Sequence, residues 1–394
     1  MKVYNSQLIV LEKIREASQL IPLFLSASLP FGQSSDLNTV ISLLMYLSFI
    51  VLMLFGQKVQ VRFMLLEVDG VLKRLEYMKN EAKLLTLKTL KEIGKPKEDP
   101  TPELNMMLEQ FLISPEGMDP AGLVWKLDHI LNVRDMKFKD DVKKIAPEAD
   151  ESQINNLENL IEASQAVNTI YRIVRHFYLL GKRTSSFYII FQIQMILPLI
   201  MQEVDALMAA GKAFSQGQPI GDGIGALVAA KFMRGLEKRK LDRDIVAAET
   251  MIEGRRVIPL KAEGPGGNVG KPGDAMRQII EENKGKIAMV VMVDAALKLE
   301  GDKTGDLSEG VGAAIGGPGT ERFKIEEEAV KHKIPVYAII VKESILEAIA
   351  PMKKEISDAA ELVTTRIRKL ILDRTKEGET VVLAGIGNTV GIGQ

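Results

Sequence analysis

The chain has no cysteine, which excludes disulfides, thiolate metal centres and cysteine nucleophiles. Histidine is almost as scarce: His129, His176 and His332 lie far apart in sequence, a poor basis for a histidine metal site. No charge of one sign dominates. Lys and Arg number 51 against 52 Asp and Glu, a net charge of −1, which argues against a globally basic nucleic-acid binder while leaving a local patch open. Also missing is the P-loop pattern G-x-x-x-x-G-K-[ST], and no glycine fingerprint joins a strand directly to a helix with the usual downstream acid.

What is present is length and apolar content. With 394 residues, 46% of them hydrophobic, the chain has enough for two or three domains with packed cores. Residues 37–55, LNTVISLLMYLSFIVLMLF, carry no charge. At about 1.5 Å per residue they match the ~30 Å hydrocarbon core of a bilayer, so a transmembrane helix is expected over 37–56. Lys58, Arg62, Lys73 and Arg74 follow it, whereas only Asp36 is charged just before it. Positive-inside bias places the C-terminal bulk in the cytosol, as a single-pass protein of the cell membrane with the lipid bilayer as its partner. Residues 1–36 are expected to be extracytoplasmic or interfacial, with a surface-lying helix over 4–25. A two-helix hairpin with both ends cytosolic is the alternative.

Residues 57–240 read as an all-helical middle region. Val61, Leu65, Val68, Leu72 and Leu75, then Leu84, Leu87 and Leu90, recur at helical spacing. A proline-rich linker, KPKEDPTP, falls near 95–102. Residues 187–201, FYIIFQIQMILPLIM, are interrupted by Gln192, Gln194 and Pro198 and are expected to form a core helix. The string around Gly221, Gly223 and Gly225 is similar to half of a nucleic-acid-binding helix-hairpin-helix. The preferred reading is a tight loop that lets helices approach closely.

From residue 241 to 394 the pattern becomes α/β. Strands are expected at 256–262, 286–293, 334–341 and 380–384, with helices near 272–283, 319–333 and 345–375. That alternation predicts a Rossmann-like, mostly parallel sheet covered on both faces. Glycine-rich loops follow the strands. Ligands of open α/β sheets bind at the carboxyl ends of strands, and glycines let backbone amides reach a phosphate. Gly264, Gly266, Gly267, Gly270, Asp294, Gly310, Gly312, Gly316, Gly317, Gly319, Gly385, Gly387 and Asn388 are therefore the candidate ligand-binding residues. Asp294, just past a buried strand, and Glu300 are the candidate metal ligands, for Mg²⁺ accompanying a nucleotide. Lys261, Lys271, Lys303 and Arg322 are available to neutralise an anion.

Taken together, PIGDGIG with LVAAK, EGVGAAIGGPG and the terminal GIGNTVGIGQ resemble an archaeal, membrane-anchored family catalogued only as a domain of unknown function. The resemblance implies an N-terminal membrane segment, a helical middle and this glycine-rich end. It brings no activity and no catalytic residue. The leading expectation is thus a membrane-tethered cytosolic domain that binds a nucleotide or other phosphate-bearing small molecule. The alternative is a non-enzymatic scaffold that assembles with itself as a homo-oligomer. A membrane-associated nucleic-acid binder is a third, weaker reading.

Overall fold

The computed structural model describes residues 36–111, 122–241, 244–317 and 319–393. The expected surface-lying segment 1–36 falls outside these residues, apart from Asp36. The chain divides into two compact units. One comprises the described residues up to Lys79 with Asn168–Val204; the other comprises Asn80–Val167 with Asp205 onward.

The first unit is built from three helices. Helix α1, Asp36–Thr89, is continuous for 54 residues, so the apolar segment expected over 37–56 and the helix expected after it are one element. Val61, Met64, Val68, Leu72, Leu75 and Met78 are buried along one stripe. Spacings of three and four residues put them on one helix face, the condition for packing against a neighbour. The neighbours are Asn168 to Thr184 of the helix α4, Glu151–Thr184, and the first half of α5, Phe187–Gln216. Buried Tyr171, Val174 and Tyr178 face inward from α4, and Ile190, Ile193 and Leu197 from α5. The Tyr178 hydroxyl donates to Asp69 at 3.0 Å and the Tyr171 hydroxyl to Glu76 at 3.2 Å.

The segment expected to be a core helix differs from that expectation. Helix α5 continues through Pro198, and only 22% of its most apolar window is buried. Tyr188, Phe191, Met195 and Leu199 stand exposed. By length and hydropathy it could itself cross a membrane. Its two glutamines and its proline suggested a shorter apolar element; the bonds Pro198 forfeits cost one backbone contact, not the helix.

The second unit joins a helical cluster to an α/β layer. After a π-turn, Leu90–Gly94, and the expected proline break come α2, Thr101–Met107, and α3, Leu123–Ile145. Leu90, Leu104, Phe138, Val142, Leu157, Ile161, Ala210 and Phe214 form the helical core. A short 3₁₀ turn, Gly221–Gly223, then leads into α6, Ile224–Met233.

The sheet has eight strands: β1 Arg239–Lys240, β2 Ile245–Ala247, β3 Thr250–Ile252, β4 Arg255–Ala262, β5 Met289–Leu297, β6 Leu307–Val311, β7 Val336–Glu343 and β8 Thr380–Gly385. The order is β1-β2-β4-β8-β5-β7-β6, with β3 also paired to β4. The four strands legible in the sequence, β4, β8, β5 and β7, are the parallel centre. The edges are antiparallel, which makes the sheet mixed. Helices α7, Pro272–Glu282, and α8, Thr320–His332, cover one face over Ile258, Met292 and Val382. Helix α6 and α10, Lys354–Arg374, cover the other over Val257, Val291 and Leu383. Burial on both faces explains why the central strands read as continuous apolar runs. The helix expected over 345–375 is two: α9, Ile345–Ile349, ends before Pro351, and α10 starts afresh at Lys354.

Helix α9 also clamps the loop after β5. Its capping box pairs Ser344 with Glu347, and Glu347 accepts further bonds from Lys353 at 2.8 Å and Thr304 at 2.9 Å. Burial pushes the Glu347 carboxyl up, but the Lys353 ammonium, the Ser344 amide and the Thr304 hydroxyl outweigh it and pull it down to about 2. A carboxyl depressed on folding adds stability above its unfolded pKa, near 4.5, and loses it as pH falls toward 2. The Glu347→Gln variant is therefore expected to be less stable than wild type at pH 7. The two should converge between pH 4 and pH 2, as read from urea midpoints at each pH.

Candidate functional site

The carboxyl ends of β4, β8 and β5 are where a ligand of an open sheet would sit. Here the chain's own C-terminal segment, residues 386–393, occupies that edge. Val390 inserts into the helical core beside Ile220 and Phe214. The Thr389 hydroxyl donates to the Gly266 carbonyl at 2.7 Å, with the Glu263 and Asn268 carbonyls at 3.0 and 3.1 Å. Asn388 donates its side-chain amide to Asn159 of α4 at 3.0 Å, and its backbone amide to Asp222 at 3.2 Å. Asn159 in turn donates to the Gly267 carbonyl at 2.6 Å, and the Gly267 amide donates to Asn156 at 2.7 Å.

The glycines singled out from the sequence serve this interlock. A β-carbon on Gly264 would lie 1.9 Å from the Ile392 carbonyl oxygen, and one on Gly387 would lie 1.8 Å from that of Asp222. Gly266 and Gly267 face Ser152 and Asn159, Gly270 faces Ile245, and Gly385 faces the Gly225 backbone. Gly225 lies against the carbonyls of Val293 and Ile386, which matches the close-packing reading of the Gly221–Gly225 string. The second set of glycines behaves differently. Gly310, Gly317 and Gly319 face open space, Gly316 is exposed, and Gly312 lies near Glu326. Their loop is held by Glu326, which accepts the Ala313 amide, and by Arg322, which donates to the Ala313 carbonyl at 3.0 Å. Arg322 thus has a structural partner.

The charged residues expected to share a pocket are not together. Strand alternation puts Lys261 on the face of Val257, toward α6 and α10, and Asp294 on the face of Met292, toward α7 and α8. Asp294 is buried and accepts the Ala295 amide at 2.8 Å. Glu300 is exposed beyond the end of β5. Among the described residues no three His, Asp or Glu side chains are placed to hold a metal ion. Lys261 is fully buried, and burial pushes its ammonium down to about 8; its nitrogen donates to the Ala262 carbonyl at 3.0 Å. Lys303 is exposed.

A polar cluster that sequence reasoning missed lies beside the 266–271 loop. Burial pushes the Glu158 carboxyl of α4 up to about 7; Lys139 opposes this, while Glu162 and Asp135 add to it. The Glu158 Oε1 atom is buried without a hydrogen-bond partner. Burial likewise raises Asp135, against the pull of Lys271, whose nitrogen is 3.8 Å away. The available signal was the run Asn155, Asn156, Glu158, Asn159 and Glu162, polar residues interleaved with the core residues Leu157, Leu160 and Ile161. Farther off, Lys324 is buried among Asp274, Glu321 and Asp128 at 3.0, 3.1 and 3.2 Å. Burial works against that ammonium, yet Asp274 and Glu321 hold it above the usual lysine range. Such a satisfied ionic knot orders α3 against α7 and α8.

One concavity of this unit measures about 640 Å³ and is lined by Pro219, Leu227, Lys231, Arg234, Met352 and Ile392. It is shallow and offers no converging catalytic pair.

Two family models match this chain. One is described as "Protein of unknown function (DUF1512) N-terminal domain" and matches residues 42–217; the other is "Domain of unknown function (DUF1512) C-terminal" and matches residues 220–393. No curated protein and no solved structure matches the chain.

Proposed function

The chain belongs to the DUF1512 family, whose description carries no activity, and from that premise we propose that it is a membrane-anchored scaffold. Residues 37–55 of α1 cross the bilayer once, and the basic residues after them keep the bulk of the chain on the cytosolic side. The observation that carries this reading is the bareness of α1. Val40, Ile41, Leu43, Leu44, Met45, Tyr46 and Leu47 are each 49% to 69% exposed, whereas the same helix buries a regular stripe from Val61 onward. Apolar residues without protein cover over that stretch are costly in water and stable in lipid. The sealed carboxyl edge of the sheet supports a docking or assembly role for the α/β layer over a deep nucleotide pocket.

The test is alkaline carbonate extraction of the full-length protein from membranes. Wild type is expected to stay in the pellet. A Leu44→Arg/Leu47→Arg double variant, costing roughly 2.5–3.5 kcal/mol per arginine at a span centre, is expected to move to the supernatant. Release of the wild type by carbonate would sink the reading. Homo-oligomerisation belongs to the same proposal, and sedimentation in detergent reads it.

A second reading is a phosphate-bearing ligand, with or without Mg²⁺, on a sheet akin to the dinucleotide-binding α/β folds. It rests on Gly317 and Gly319 facing open space at the start of α8, which has no side-chain cap, and on Gly310 facing open space in β6. Thermal stabilisation of the full-length protein by nucleotides or sugar phosphates, lost in Gly310→Trp, would favour it. A flat response across such a panel leaves the scaffold.

A further inference from the structure

The hairpin between α4 and α5 reaches the end of the apolar rod. Tyr178 is level with Asp69 and Tyr171 with Glu76, so the two helices run antiparallel and the turn at Ser185 lies level with Arg62. On the other limb Gln194 donates to Glu67, so Phe187 lies level with Gln60. That is five residues past Phe55, about 8 Å along the helix at ~1.5 Å per residue. The headgroup layer on each side of a ~30 Å core is of that thickness.

The tip has the chemistry of that layer. Phe187 stacks on Phe191 with ring centroids 5.6 Å apart and meets Tyr188 edge-on at 6.1 Å. Tyr188 and Phe191 are 53% and 41% exposed, and Phe63 of α1 is bare beside them. Lys182 and Arg183 are exposed in the last turn of α4. From residue 179 to residue 202 the basic residues are Lys182 and Arg183, and there is no Asp or Glu. Aromatic rings favour the interface, and a cationic segment without acids is drawn to anionic lipid.

We propose that the α4–α5 hairpin tip is a second membrane contact, seated in the anionic headgroup layer of the bilayer that α1 crosses. This rests on the anchoring reading above. Two contacts fix the tilt of the three-helix unit relative to the bilayer, where a single span would leave it free to swing.

The absence of cysteine makes the test direct. Single-cysteine variants Tyr188→Cys, Phe191→Cys, Leu44→Cys and Lys73→Cys of the full chain carry an environment-sensitive fluorophore. Each is reconstituted in phosphatidylcholine–phosphatidylglycerol vesicles containing lipid spin-labelled at the headgroup or deep in the acyl chain. The expected result is strong quenching at Tyr188 by the headgroup label, at Leu44 by the deep label, and none at Lys73. The Phe191 probe repeats the Tyr188 readout should one variant fold poorly. Quenching at Leu44 with both tip probes as silent as Lys73 overturns the tip contact while the anchor stands. Tip probes quenched most by the deep label overturn it in favour of an inserted α5. Silence at Leu44 removes the anchor and this proposal with it.

Discussion

Gly387→Ala is expected to destabilise the protein by at least about 3 kcal/mol, a loss visible as a drop in the urea midpoint of the full-length chain. Two penalties act together. Gly387 has φ of 128°, a region that side-chain-bearing residues avoid at a cost of order 1–3 kcal/mol. Its β-carbon would also lie 1.8 Å from the Asp222 carbonyl oxygen, a backbone atom that cannot rotate away. Relieving that clash means lifting the C-terminal segment off the sheet edge. Val390 would leave the helical core and Thr389 would leave the 263–268 loop. Gly310→Ala is the matched control. Nothing lies within 4 Å of the added carbon and its φ is not positive, so stability should change by less than about 0.5 kcal/mol. Equal effects at the two positions would show that the terminal glycines do not interlock the unit as described.

The second large effect is expected to be a gain. Glu158→Gln should stabilise the protein by about 2 kcal/mol at pH 8, and the gain should disappear at pH 4. The Glu158 carboxyl titrates at about 7 in the folded chain and near 4.5 unfolded. Between these values the unfolded state holds fewer protons, so stability falls as pH rises through the window and is greatest below it. The full rise corresponds to at most about 3 kcal/mol, and partial exposure reduces it. Glutamine keeps the shape without the charge that Glu162 and Asp135 oppose. Melting temperatures of both forms from pH 4 to pH 8 check this, and parallel curves would show that Glu158 carries no buried-charge penalty. Activity or ligand binding lost in the same variant would give the penalty a functional reason, since strained carboxylates cluster at working sites.

The two kinds of glycine show where sequence reading stops. Gly264 and Gly387 sit in strings no different in character from those of Gly317 and Gly319, yet one pair abuts backbone carbonyls and the other faces open space. A glycine string states that the backbone comes close to something. Whether that is a ligand or another loop depends on which segments folding brings to the sheet edge. The same limit hid Glu158: its spacing is that of an ordinary solvated helix face, and only the approach of α3 and the 266–271 loop removes its water.

Local chemistry alone determined a good deal: the continuous helix through 36–89, the stripe starting at Val61, the proline break after Gly94 and the four apolar strands of the sheet centre. These follow from hydrophobic period and from proline's missing N–H, which act over one or two turns of chain. Contacts between residues distant in sequence decided the rest. The antiparallel edges depend on pairing short strands whose three-residue patterns carry no period. The exposed face of α5 depends on which helices flank it, and the separation of Lys261 from Asp294 depends on strand register. Such pairings are set by burial summed over the whole unit, a quantity that no single window of sequence contains.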